Sequence, residues 1–263
     1  NEIELTADYF NNRRKDILLE RNTVPGVAGF HAKPWQNYGI VDNWGVDASL
    51  NARHDFGKVR ISARGTFTFA RNKIVEYDEL NQLYDYQRIT GTRVNENTLY
   101  IAERLYTEDD FIRTQNPNGT YSYELRPGLP IVALQGTLGP GDIKYADLNH
   151  DGVIDEQDIV YLGSSFPTLT GGGSLVLKYK GWQLRTSLHF RLGHSIVNMV
   201  RHDLENMNTG NNQSKAVLRR WRYEGDQTDV PRALWGVNYN SMGSSKYVED
   251  GSFLKVKDIT LTY

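Results

Sequence analysis

Residues 147 to 158 read DLNHDGVIDEQD, with oxygen-bearing side chains at every second place through the first half. Asp147, Asn149 and Asp151 stand at the first, third and fifth positions of a twelve-residue loop. Gly152 falls where such a loop must turn, and Val153 offers its main-chain carbonyl. Asp155 and Asp158 stand at the ninth and twelfth positions. Hard oxygen donors in this order suit a calcium ion, and Ile154 fits the loop's buried apolar place. The plain alternative is an Asx-rich turn without metal, because Asp and Asn side chains bond nearby backbone groups. If calcium is held, its role is structural, stiffening a long loop.

No other constellation points to chemistry. The chain has no cysteine, which excludes disulfides, thiolate metal sites and a cysteine nucleophile. The six histidines show no metal-ligand spacing, and neither a zinc-protease helix motif nor a nucleophile elbow is present. GTLGPGD, residues 136 to 142, lacks the Lys-Ser/Thr of a phosphate loop and reads as a turn. Nothing orients a pair of carboxylates for glycoside hydrolysis, so no catalytic residue is assigned. The aromatic residues Trp35, Trp221, Trp235 and Tyr239, with Tyr223, fall between the regular segments. Flat rings there could stack on a sugar or a peptide, or pack inside a folded loop.

The elements that must carry these residues are β-strands. The hydrophobic share is 39%, low for a globular domain, while 24 glycines and 16 tyrosines favour turns and sheets. A net charge of -2 gives no basic balance toward nucleic acid. No apolar run reaches the ~18 residues of a membrane helix. Period-two alternation is the clearest signal. Trp44, Val46, Ala48, Leu50 and Ala52 alternate with Gly45, Asp47, Ser49, Asn51 and Arg53. After a turn expected at residues 54–57, Val59, Ile61, Ala63, Phe67 and Phe69 take the apolar phase against Arg60, Ser62, Arg64, Thr66 and Thr68. A second hairpin turns at Lys180-Gly181; Leu175, Leu177, Tyr179, Trp182, Leu184, Leu188, Phe190 and Leu192 oppose Gln183, Arg185, Ser187, His189 and Arg191. Two more strands lie near Ile3–Tyr9 and in FLKVKDITLTY, the latter changing phase between Val256 and Ile259 as at a bulge.

Short turns alternate with long connections at about 20–37, 72–168 and 193–251. Such asymmetry is expected of an outer-membrane barrel, with short periplasmic turns and long external loops. A soluble sandwich with one buried and one solvated face shares the alternation and remains the rival. In the barrel reading the apolar phase meets outer-membrane lipid. Asp47, Arg53, Arg60, Arg64, Arg185, His189 and Arg191 then face a wet lumen.

Several stretches, in order, resemble the SusC/RagA-like TonB-dependent transporters of Bacteroidota. They are LTADYFNNRRKDILL, YGIVDNWGVDASLNAR, GDIKYADLNHDGVIDEQDIVYLGSSFPTLTGGGSLVLKYKGWQL, RRWRYEGDQTDVPRA and SSKYVEDGSFLKVKDITLTY. The loop at 147–158 is similar to an EF-hand of the dockerin variety, with Asp158 where a standard EF-hand has Glu. The family resemblance implies an all-β fold: a fragment, from the C-terminal part, of a large antiparallel transmembrane β-barrel with long extracellular loops. It implies TonB-dependent import of a nutrient, oligosaccharide or peptide, by the SusC-like barrel of a SusCD-type complex. The implied partners are a SusD-like lipoprotein, TonB through an N-terminal region outside this chain, and the rest of the barrel. The alternative function is a secreted, calcium-stabilised β-sandwich that binds carbohydrate; a β-rich glycoside hydrolase is a further rival.

Overall fold

The computed structural model describes residues 2–29, 31–132, 138–236 and 239–263. Gly136 and Thr137 of the glycine-rich turn lie outside the described residues. The chain divides into two compact units, Asn1–Asn97 with Gly163–Ile196 and Asp250–Tyr263, and Thr98–Leu162 with Val197–Glu249.

The first unit is one antiparallel sheet of six strands, each beside its neighbour in sequence. They are β1 (Glu2–Glu20), β2 (Trp35–Phe56), β3 (Val59–Glu76), β4 (Leu169–Tyr179), β5 (Trp182–Leu192) and β6 (Phe253–Thr262). β2 pairs with β3 down to Phe56↔Val59, so the turn comprises Gly57 and Lys58 alone, tighter and later than the expected 54–57. Gly57 has φ 59° and Lys180 φ 51°, the left-handed backbone that two-residue hairpins require. β1, β2 and β3 have 19, 22 and 18 residues and run well past the segments that alternation marked. The first two long connections therefore shrink to 21–34 and 77–168, the third stays essentially as expected at 193–252, and all leave from strand ends opposite the two tight turns. The phase change in β6 is a bulge: Ser187 pairs with Asp258 while Leu188 pairs with Val256, stepping over Lys257.

The pairing register aligns the apolar phases into continuous rows. Tyr9, Val46, Phe69, Leu169 and Leu192 form one row, and Leu5, Leu50, Gly65, Gly173, Leu188 and Val256 another. Among the described residues nothing covers this face: Ile3 is 80% exposed, Leu254 68% and Leu188 38%. The buried hydrophobic side chains (Tyr106, Phe111, Ile143, Tyr145, Ile154, Met207, Val217, Val230, Tyr239 and Tyr247) belong instead to the second unit. A sandwich would bury Leu188 in a dry middle, so the rival fold is overturned. From Val59 to Phe69 the band on β3 takes ten steps. At about 3.3 Å each and a tilt of roughly 40°, that is about 25 Å of height, the apolar thickness of an outer-membrane barrel. Above it the same phase turns polar, with Arg13 bridging Asp42 at 2.6 Å and Arg71 and Lys73 following Phe69. Aromatic rings mark both margins: Tyr9, Trp44 and Phe69 on one side, Phe56, Tyr179 and Trp182 on the other.

Glycine lets the sheet bend. A Cβ on Gly171 would come within 2.3 Å of the Thr66 carbonyl and 2.6 Å of the Phe190 ring, which covers the bare backbone.

The second unit packs short ladders around an aromatic centre. Ala102–Leu105 pairs with Ile143–Tyr145, Phe111–Gln115 with Tyr121–Leu125, and Ile131–Val132 runs parallel to Val153–Ile154. Tyr145 meets Tyr239 edge-on at 4.9 Å and Tyr106 meets Phe111 at 5.6 Å. Burial pushes the Tyr106 phenol up to about 12 and raises Tyr145 and Tyr239 as well.

Gly171→Val forces the β3–β4 seam apart and is expected to destabilise the folded barrel by about 1–3 kcal/mol. Heat-modifiability on gels in outer-membrane preparations should show a lower melting temperature than Gly171→Ala, with wild type highest.

Candidate functional site

The polar face of the sheet carries the seven charged or imidazole side chains singled out from the alternation. Asp47 lies in the row Thr68, Thr170, Arg191, and Arg53 in the row Ser62, Val176, Arg185. Arg64 is opposite Asn51 and Ser174, Arg60 is opposite Asp55 and Lys178, and His189 is opposite Gly172 and Lys255. All seven therefore share one face. Arg60 reaches Asp55 with two nitrogens at 2.7 and 3.2 Å. The His189 ring stands 5.8 Å from Phe253.

Hollows open on this sheet. One of about 670 Å³ sets Glu2 and Glu4 beside Arg53 and Arg64. A second, about 500 Å³, mixes Asn12, Arg14 and Glu76 with Ile17, Val41 and Ile74. Alternation did not expose this second hollow, because its apolar side chains belong to the polar phase. Nearby, Asp78 is almost fully buried; burial raises its pKa, but Arg21 and the Thr23 N–H and hydroxyl overcome that and hold it at about 2.

In the second unit the loop at 147–158 is held by side-chain bonds to its own backbone. Asp147 accepts the Gly152 N–H at 2.9 Å through Oδ2, while its Oδ1 is buried with no hydrogen-bond donor. Asn149 accepts from the Asp151 N–H at 3.1 Å, and Asp151 accepts from the Val153 N–H at 2.8 Å. Asp158 takes the N–H of Leu148 at 2.7 Å and of Asp155 at 3.0 Å, and Asp155 takes that of Gln157 at 2.7 Å. Ile154 is buried. Among the described residues no three carboxylate or imidazole side chains converge as a metal cage. The loop's donors are of mixed type, with an amide and a carbonyl among them, and each carboxylate oxygen has lone pairs beyond the one a single N–H occupies. The donor chemistry and the orphaned Asp147 oxygen fit calcium.

The four stacking candidates are not brought together. Trp35 is the first residue of β2 and not part of a loop, paired with Glu20 and 65% exposed. Trp221 packs its ring against Gly141, whose φ of +84° and absent side chain make room for it. Trp235 is 80% exposed and near Gly210. Tyr239 is buried in the aromatic centre and is unavailable to a ligand, which corrects its assignment.

The charged residues that organise this unit escaped the sequence reading, although three of them stand in RRWRYEGDQTDVPRA. Arg232 grips buried Asp142 at 2.7 and 2.8 Å, and Asn240 adds a bond to the same carboxylate at 2.8 Å. Asp229 gathers Arg201 at 3.1 Å, Arg219 at 3.3 Å and Lys246 at 3.9 Å beside a cleft of about 420 Å³. Arg104 holds Asp110 at 2.6 and 2.8 Å, and with the Thr107 N–H keeps that carboxyl at about 2 against the opposing effect of burial.

Comparison with known proteins decides what the sheet is part of. No protein-family model matches the chain. It is 27% identical over 264 residues to TonB-dependent receptor P26 of Formosa agariphila, covering 97% of this chain and 25% of that protein. It is 25% identical to TonB-dependent receptor SusC of Bacteroides thetaiotaomicron over 97% of its own length and 23% of the relative's. The structure of the RagAB peptide importer in its closed-closed state superposes with a TM-score of 0.68 at 20% identity, over all of this chain and 27% of that one. A second RagAB structure gives 0.65 at 24% identity. The chain is similar in sequence to a stretch of these TonB-dependent receptors and shares its fold with a stretch of the RagAB importer. It spans about a quarter of the length of these relatives.

Arg232→Ala leaves Asp142 buried beside only neutral donors and should cost the second unit about 3–5 kcal/mol. Limited proteolysis should then cut within 98–162 or 197–249 at protease levels that spare wild type, with barrel heat-resistance unchanged.

Proposed function

We propose that the chain contributes wall and loops to a TonB-dependent importer of nutrient oligomers, oligosaccharide or peptide, acting as the SusC-like barrel of a SusCD-type complex. The carrying observation is the sheet's two-sidedness. An uncovered apolar band between aromatic margins backs a face holding Asp47, Arg53, Arg60, Arg64, Arg185, His189 and Arg191. Hydrocarbon outside and a wet lumen inside account for both faces at once. The seven side chains line the passage, and the long connections stand on the extracellular side. A SusD-like lipoprotein delivers the nutrient, and TonB supplies the force through a region outside this chain. The role is transport without bond-making, which agrees with relatives that carry receptor and importer names.

Calcium belongs to the same proposal as a brace. Asp147, Asn149, Asp151, the Val153 carbonyl, Asp155 and Asp158 would hold it. When bound, it supplies positive charge that draws these oxygens together and stiffens the segment.

Two experiments test these readings. Cells lacking TonB should still bind the nutrient at the surface but take none up, with the full-length gene intact; uptake that persists without TonB rules out the importer. For the brace, adding EDTA should speed cleavage near residues 147–158 in wild type, and Asp147→Ala should show that faster cleavage with no further response to chelation. A cleavage rate indifferent to both calcium and EDTA leaves the Asx-rich turn as the answer.

A further inference from the structure

The polar face of the sheet breaks its own rule at one place. At the end from which the long connections leave, its rows run Asn12, Asn43, Asn72 and then Arg14, Val41, Ile74. Ile17 pairs with Gly39 beyond a bulge in β1. A Cβ on Gly39 would meet Leu19 at 2.7 Å and Ile17 at 3.3 Å, so glycine lets both side chains lie on this same face. Val94 joins them, its N–H donating to the Asn72 side chain at 2.8 Å. Five half-buried aliphatic side chains thus line the hollow of about 500 Å³, on a face that elsewhere carries mostly charges and hydroxyls. An apolar floor with a few polar groups at the edge, in a volume between about 300 and 1,000 Å³, is the usual make-up of a small-ligand site.

The rim says what the hollow takes. Asn12 and Asn43 offer amide donors and acceptors at its edge. Arg14 is exposed and has no acid partner among the described residues, while Glu76 already accepts from the Tyr38 hydroxyl. The unanswered charge at the rim is therefore positive. A pyranose carries hydroxyls around its whole edge, and aliphatic walls would strip their water without replacing its hydrogen bonds. Its faces stack on flat rings, and among the described residues Tyr77 is the one ring lining this hollow. A peptide meets both conditions. Its aliphatic side chain suits the floor, and its main-chain amide and terminal carboxylate suit the asparagines and Arg14. We propose that the hollow is a subsite for a nutrient peptide, seating an aliphatic side chain on Val41 and Ile74 and a carboxylate on Arg14. This rests on the importer reading above and narrows its nutrient to peptide.

The test uses the full-length protein purified in detergent, with trileucine, trileucine amide, triserine and maltotriose as probes and binding read by calorimetry. V41T/I74T makes the floor polar with side chains that strands accept. Arg14→Gln removes the rim cation, and Lys215→Gln, on the other unit, serves as control. Wild type and the control should bind trileucine several-fold more tightly than triserine, trileucine amide or maltotriose. V41T/I74T should lose the preference over triserine, and Arg14→Gln the preference over the amide. The Arg14→Gln arm stands even where the double variant fails to show heat-resistant migration on gels. Equal binding of trileucine and triserine by wild type, or preferences that both variants keep, overturns the subsite. Maltotriose binding that V41T/I74T abolishes overturns the peptide in favour of a sugar. Absence of trileucine binding in wild type overturns the subsite as well, a lower melting temperature in V41T/I74T then marking a floor already covered by protein. None of these results touches the importer reading, which falls only if uptake persists in cells lacking TonB.

Discussion

Backbone amides and carbonyls in hydrocarbon must find partners inside the protein, because no water is there to receive them. Everything in the first unit follows from that constraint. Six strands pair with their neighbours in the sheet, and among the described residues the outer sides of β1 and β6 have no strand beside them. Those two sides are costly in lipid, and pairing with further strands removes the cost. The face turned outward needs no core beneath it. Leucines and isoleucines that would signal an unfinished domain in water are at rest against acyl chains.

The second unit solves the opposite problem, that of segments needing a core of their own. Loops as long as these ordinarily lack one. Here tyrosines do much of the filling, and ion pairs secure the chain around them. Tyr106, Tyr145, Tyr239 and Tyr247 are all buried. A buried pair such as Asp142 and Arg232 gives little net stability over an apolar pair of the same shape, but either partner alone is strongly unfavourable. It therefore fixes which segments meet: the Arg232 N–H also donates to the Gly141 carbonyl at 2.9 Å, and Trp221 closes over Gly141.

Much of the sheet was legible in the sequence because lipid and a wet lumen impose a strict two-residue period. Trp44 to Ala52 and Trp182 to Leu192 announce their faces without ambiguity, and even the β6 bulge shows as a broken phase. The same rule fails where strands leave the membrane. Past Phe10 on β1 and before Val41 on β2 both faces are polar or mixed, so strands of 19 and 22 residues looked half as long. The turn at 147–158 has a local spacing that the sequence displays directly, whether or not it holds a metal. Tyr239 was not, since an aromatic residue between polar neighbours looks identical whether it packs inward or outward. Arg201, Asp229 and Lys246 depend on contacts between distant segments, and no spacing rule anticipates those.

The polar face carries its own argument about water. Asp8 stands directly opposite Asp47, and Arg60 opposite Lys178. Glu2, Glu4, Asp8, Asp47 and Asp55 stand on β1 and β2 with Arg53 among them, while Arg60, Arg64, Lys178, Arg185, Arg191 and Lys255 stand on β3 to β6 with Asp258. A dry interior penalises such pairs heavily, since unpaired charge in a low dielectric is among the costliest arrangements a fold can hold. In water the high dielectric cuts the same repulsion to about 1 kcal/mol at 4 Å, and the penalty becomes small. A sheet that places like charges side by side on one face, and bare leucine on the other, is stable only with solvent of two kinds. The charges then remain available to whatever solute or protein surface enters that wet space.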